Sequence, residues 1–569
     1  MLTTLLVWIY IVALIFVYGI STKVFLEKIF KLKITTVPLV LVLILGLCCI
    51  TTIASYMNCF IKIGKEFHVL LIILAVIIYF INKKTIKNDL IIYIKELKKT
   101  HGLVVFIVIL FIFFILIKTT GIRTHIFDFE LYHNQAIQWV VNSKIVPGLG
   151  NLNIRYIFNS SWLITSAVFS MSFLSANFFY VLNGLLMTLF VIYTSRSLQE
   201  LITKKVSLIT VINTLLLVSS VFYYRKNYST TAYDLPVFIL CLLILILFVE
   251  KIKKDECFKF DIYTTLILIY ICYVFTIKIS IITILFIFGV GVFYELTKKN
   301  INRVFKICLI SMIIVLPWVI KNILVSGYLV YAFPKLDLFN VDWKVPINFI
   351  NEILDKRIFV IFRPFRELVD SGISAWWPVW FEHLSIIRKL LVIIISLLHV
   401  AYVGVFIARK KLKINFYRYN YFLFPYIQCV IGLIFMFNTV PDFRYHMHYI
   451  LFIAIYLLSP MVLFIVNKNK KIFTPILISF IIICGFCLIG CSVDYSTIKS
   501  RLLYPSRTYL DIPTKQILIK DNIIFHPESN MDERCNIKYW PCTPYKWIDK
   551  IELRGTGFAA GFRQKNDKL

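Results

Sequence analysis

Residues 102–118, GLVVFIVILFIFFILIK, followed by DFELYH at 128–133, set the reading of the whole chain. The first run carries a single charge, Lys118, and is long enough for a helix to cross a hydrocarbon layer about 30 Å thick. The second opens a long polar loop that continues through NQAIQW at 134–139 and KIVPGLGN at 144–151. Nothing else in the first third of the sequence is as dense in carboxylate, imidazole, amide and indole groups.

Outward from this pair the apolar run repeats. Segments near 2–20, 37–56, 67–82, 102–118, 178–195, 206–222, 234–250, 261–277, 280–296, 306–320, 388–408, 419–437, 449–466 and 473–491 are each continuous and nearly free of charge. The chain is 60% apolar with mean hydropathy +0.83 over 569 residues, well above a soluble domain. An all-α polytopic membrane protein of about 14 transmembrane helices is expected. The runs do not alternate, which excludes a barrel.

The net charge of +31 is not a nucleic-acid signal. Its Lys and Arg residues gather in alternate connectors, among them Lys83, Lys84, Lys87, Lys95, Lys98 and Lys99, and later Lys298, Lys299, Arg303 and Lys306. That is the mark of cytoplasmic loops. The opposite connectors hold few cations: Lys62, Lys65, Arg225, Lys226, Lys278 and Arg444. Both termini then fall outside, as do the loops 119–177 and 321–387 and the tail 492–569. Residues 1–101 read as accessory N-terminal helices and 102–491 as the main membrane module. The first 20 residues lack a basic start and a small-residue cleavage site, so they read as a retained span.

Of 13 cysteines, eleven lie in or beside apolar runs. Cys535 and Cys542 stand apart in the polar tail and are placed to form a disulfide in an oxidising compartment. Short strands are expected in the tail near 516–525 and 551–562. No P-loop, GxSxG, HExxH or EF-hand spacing occurs.

Within the first outer loop, Tyr132, Ala136, Trp139 and Val140 share one helical face. The spacing predicts an amphipathic helix over 129–143, lying in the interface plane with Asp128 as its N-cap. The apolar run 162–174 is too short to span and reads as interfacial or re-entrant.

A carboxylate pair just after a span, in a large outer loop with two surface helices, resembles the integral-membrane glycosyltransferases of the C fold class. Three further stretches are similar to theirs: PWVIKN at 317–322 with GY at 327–328 and YAFP at 331–334, PDFRYH at 441–446, and TAYDLP at 231–236. The likeness covers about residues 100–465. The segment from Asp128 to Asn159, with VPGLGNL and FNSSW, also looks like a group of bacterial polytopic membrane proteins of this type. One departure is that the loop follows the fourth span instead of the first.

The resemblance implies a polyprenyl-phosphate-linked sugar donor with membrane lipids as surroundings; the clustering of Lys and Arg between apolar runs speaks against a nucleic-acid partner. The acceptor would be an envelope glycan, lipid or protein, at the outer face of a bacterial cytoplasmic membrane. Asp128 would be the general base of an inverting transfer. Glu130 would assist it or share a divalent cation, Mg or Mn, with it. Arg444 and His446 would meet the donor phosphate, because a guanidinium matches phosphate bidentately. His133, Asp234, Lys278, Lys321 and Trp377 complete the candidate substrate site. Arg363, Arg366, Glu367, Trp376, Trp380, Glu382 and His383 lie in the same outer loop as Trp377. The competing reading is a lipid-linked glycan flippase or an envelope-polysaccharide polymerase, which would place polar residues deep in several spans.

Overall fold

The computed structural model describes residues 1–121, 127–171, 180–203, 205–253, 259–331, 333–351, 373–408, 423–439, 441–490, 499, 501–503, 511–529, 534–545 and 548–565. Arg363, Arg366 and Glu367 lie outside them. The chain opens with α1 (Leu2–Phe30), α2 (Leu39–Asn58), α3 (Lys65–Lys98) and α4 (Gly102–Thr119). The loop after α4, expected from the charge pattern to be the first outer loop, holds α5 (Asn134–Asn142), α6 (Leu149–Leu152) and α7 (Ser161–Val168). Then come α8 (Leu182–Ile202), α9 (Leu208–Tyr223), α10 (Asp234–Lys253), α11 (Ile262–Ile277), α12 (Leu285–Thr297) and α13 (Ile301–Ser326). The remaining helices are α14 (Ile373–His383), α15 (Ile386–Ala408), α16 (Leu423–Asn438), α17 (Phe443–Lys468) and α18 (Lys470–Gly490).

All fourteen expected segments overlap a helix. Among the described residues, nine helices are long and apolar enough to cross a membrane, and the shorter apolar helices Leu208–Tyr223, Ile262–Ile277 and Leu423–Asn438 accompany them. Because lipid is as apolar as leucine, such helices are held together by close backbone approach and internal polar pairs. At Gly46 in α2 a methyl group would lie 1.8 Å from the Ile15 carbonyl of α1, so no larger residue fits. Lys23 of α1 donates to Asp89 in the far half of α3 at 3.0 Å, both buried.

Two cores result. One runs through the helical bundle. The other lies at its end, where Leu131, Trp139, Ile145, Leu152 and Ile154 of the first outer loop meet Ile524, Ile551, Leu553 and Phe562 of the tail. The tail forms two antiparallel hairpins, β1 (Thr514–Ile519) with β2 (Asn522–Pro527) and β3 (Ile551–Leu553) with β4 (Phe562–Gln564). They fall where short strands were expected. Cys535 and Cys542 are joined, with Cα atoms 5.9 Å apart.

The first outer loop departs from its sequence reading in three ways. Its helix begins with a π turn, Phe129–His133, before α5. The Asp128 carboxylate makes no capping hydrogen bond to that turn. And α5 does not turn its polar face to water: Gln135 donates to the Tyr539 carbonyl at 2.8 Å and accepts from the Cys542 N–H at 3.0 Å, while Gln138 donates to the Ile537 carbonyl at 2.9 Å. The tail covers it. Similarly α7, within the apolar run 162–174, is buried inside the bundle. Thr165 bonds Thr51 of α2 at 2.7 Å and Ser161 bonds Thr276 of α11 at 2.8 Å. Hydroxyl pairs of this kind let a short segment sit among helices without unpaired polar groups.

Candidate functional site

Four chain elements end at one place. Asp128 directly precedes the π turn after α4. Asp234 opens α10, where Pro236 suits the first turn. Lys278 closes α11 in an extended conformation. Arg444 lies in the first turn of α17, whose N-cap Asp442 accepts from the Arg444 N–H at 2.9 Å.

Their side chains form a ladder of alternating charge. Lys278 Nζ is bonded to Asp234 Oδ1. Asp234 Oδ2 accepts from Arg444 Nε at 2.5 Å. Arg444 Nη2 reaches Asp128 Oδ2. Exposure is graded along it: 6% for the Asp234 side chain and 11% for Lys278, against 43% for Arg444 and 22% for Asp128. The inner pair is therefore desolvated, and removing one partner there is costly. The outer pair is reachable.

Aromatic rings wall the ladder. Lys278 Nζ lies 3.9 Å from the Tyr445 ring centroid and 5.7 Å from that of Tyr233. Tyr132 and Tyr233 share a 2.6 Å hydrogen bond between their hydroxyls. Burial pushes the Tyr132 phenol well above its ordinary range, helped by the neighbouring Tyr233 and the Asp128 charge. His133 packs 5.2 Å from the Tyr233 ring and 3.4 Å from Thr231 Oγ1. Burial pushes its imidazole down to about 4, so it is neutral at pH 7.

Glu130 faces elsewhere. Its carboxylate is 3.7 Å from Arg534, and its backbone carbonyl accepts from the Cys535 N–H at 3.0 Å. Asp128 and Glu130 therefore have different arginine partners. Among the described residues no group of three His, Cys, Asp or Glu side chains converges on a metal position. As placed, the two acids do not fit a shared divalent cation.

The other candidates are placed as follows. His446 is buried at a non-helical position of α17, with its ring 6.2 Å from His448 and stacked on Tyr449. It lies inward of Arg444 on the same helix. Lys321 neighbours Cys59, at the end of α2, and is not a member of the ladder. The rest of its motif is structural: Trp318 Nε1 donates to the Asn159 carbonyl at 2.7 Å, and Asn159 donates to Asn322 Oδ1 at 2.7 Å. Trp377 joins Trp380 and Phe437 in an aromatic patch. Trp380 Nε1 donates to the Pro441 carbonyl at 2.7 Å, so this patch buttresses the turn that carries Arg444. Tyr132, Tyr233 and Tyr445 appear in the sequence reading only as a helix-face residue and as parts of motifs, not as site residues. The available signal was adjacency, because each neighbours a candidate: His133, Asp234 or Arg444.

Bundle and ladder together define a polytopic helical membrane protein with a buried ion-pair cluster where its helices end. The chain belongs to the family described as a domain of unknown function, DUF8201, whose model matches residues 1–451. That stretch contains all four ladder residues and stops within α17. No curated protein and no solved structure matches the chain.

Proposed function

We propose that this protein is an inverting membrane glycosyltransferase that uses a polyprenyl-phosphate sugar at the outer face of a bacterial cytoplasmic membrane. The donor's sugar passes to an envelope glycan, lipid or protein. The fourteen helical segments all span, and both termini lie outside. The observation that carries the reading is the ladder: a half-exposed guanidinium, held by a buried carboxylate, with a second, reachable carboxylate on its outer arm.

The donor phosphate takes the arm of Arg444 that Asp128 occupies, since phosphate matches guanidinium geometry and carries more charge. Lys278 and Asp234 hold Arg444 in place during the exchange. The released Asp128 accepts the proton of the acceptor hydroxyl. That oxygen bonds the anomeric carbon as the carbon–oxygen bond to phosphate breaks, its electron pair leaving on the polyprenyl phosphate. The nearby ammonium and guanidinium stabilise the negative charge on the leaving group. No step runs through a metal ion.

Purified protein in vesicles with a radiolabelled polyprenyl-phosphate sugar and an envelope-extract acceptor tests this. Wild type should move label to acceptor, and Asp128→Asn should lower transfer by at least about 100-fold. The same variant should bind polyprenyl phosphate severalfold more tightly, because Arg444 loses its competing carboxylate. Full transfer by Asp128→Asn sinks the base assignment. Movement of intact donor across the bilayer with no transfer would indicate a flippase instead.

A further inference from the structure

We infer that the protein holds a second anion site, for a phosphate-bearing group at the membrane surface, built by Lys118, Arg225, Lys226 and Arg501. It shares no residue with the ladder and does not depend on the transferase reading.

Several of the cations expected to face outward have carboxylate partners. Lys278 and Arg444 are neutralised within the ladder. Lys62 pairs with Glu66 at 3.8 Å. Arg225 and Lys226 have no carboxylate partner among the described residues, and neither do Lys118 and Arg501. Yet Lys118, at the end of α4, stands within electrostatic reach of Arg225, Lys226 and Arg501. Contacts fix the grouping. Phe114 of α4 meets Tyr228 with ring centroids 6.3 Å apart, which seats the 224–230 turn on α4. The Arg501 guanidinium lies over Gly121, just past α4. The backbone nitrogen of Met1 donates to the Arg501 carbonyl at 2.5 Å, which seats the 501–503 stretch against the start of α1.

The ordinary explanation, cations neutralising a helix C-terminus, accounts for about half a unit of charge. Four side-chain cations exceed that, and gathering them costs mutual repulsion that an anion removes. Arg501 Nε is also buried with no hydrogen-bond partner among the described residues. Arg225 is pre-positioned: its guanidinium covers the Phe222 ring at 4.2 Å and donates to the Phe222 carbonyl at 2.7 Å, leaving its other donors available.

The surroundings match a lipid headgroup. Phe106, Ile109 and Phe113 are exposed along α4, which ends just past Lys118, and Phe222 is exposed on α9. Charge at one end and an apolar track beneath suit a phosphate on two acyl chains.

The test uses the full chain in nanodiscs of equal phosphatidylglycerol and phosphatidylcholine. Lipid retained through extraction is read by native mass spectrometry. Wild type should retain phosphatidylglycerol over phosphatidylcholine. The surface variant Arg225→Gln/Lys226→Gln should lower that retention about tenfold with an unchanged melting temperature, and Arg501→Gln should act in the same direction. Asp128→Asn should retain the lipid as wild type does. Inorganic pyrophosphate distinguishes the source. If it binds the wild type alone and displaces the lipid, the anion is a free phosphate compound; if it does neither, it is a headgroup. Equal retention of both lipids with no pyrophosphate binding, or undiminished retention in the double variant, overturns the site.

Discussion

Asp234 is the residue on which the ladder turns, since it alone touches both cations. Its substitution by Asn leaves Lys278 enclosed without its counter-charge, and we expect a loss of about 3 kcal/mol in thermal or denaturant stability. The double variant Asp234→Asn/Lys278→Met should recover part of that loss, because Arg444 keeps Asp128; a double variant no more stable than the single one refutes the pairing. His133 gives a pH dependence. Its folded-state value, about 4, lies below the ordinary 6.5, so the unfolded chain binds the extra proton first as pH falls. The stability that neutral His133 contributes is complete above about pH 6.5 and declines toward pH 4, by up to about 1.4 kcal/mol per unit. Unfolding midpoints measured across that window should fall less steeply in His133→Gln. Asp128, Lys278 and Arg444 were legible as candidates because the charge pattern leaves few charged residues on the side expected to face outward. Glu130, read in the sequence as Asp128's companion, has its carboxylate 3.7 Å from Arg534. Side chains two apart on a helix point away from each other, so the pair separates as soon as 129–133 becomes helical.

Among the elements, α5 and the tail define each other. The α5 sequence announces amphipathicity, and its polar face carries amides, Gln135 and Gln138, in place of charges. Amides can be covered by protein where charges cannot without partners, and the tail's backbone does this. That choice of residue was visible in the sequence, but the partner about 400 positions away was not, because hairpin patterning gives a strand's existence and not its docking site. The fit is narrow at Gly148. Its φ of 65° is left-handed, and a Cβ there would stand 2.0 Å from the Phe562 carbonyl of β4. Gly148→Val should therefore release the tail at a cost above about 1 kcal/mol. Limited proteolysis from the outer side should cut the tail much faster in the variant while helix content is unchanged. Equal cutting would show that the tail is anchored elsewhere.

At the scale of the whole molecule, the membrane bundle was the most legible feature, since a run of apolar residues has few alternatives once it exceeds the bilayer thickness. Less legible were the short pieces. A 16-residue helix such as α11 covers only about 24 Å, and in the proposed topology its terminal Lys278 remains below the outer surface, where charge must be paired. The enclosed Asp234–Lys278 contact follows from that shortfall. The docked tail has a temporal consequence. Cys542 meets Gln135 across a sequence separation of 407 residues. At ordinary elongation rates the ribosome needs about 20 to 80 seconds to cover that distance. In the proposed topology the 127–157 segment is exported first and waits throughout that interval without its lid, open to the proteases of the outer side.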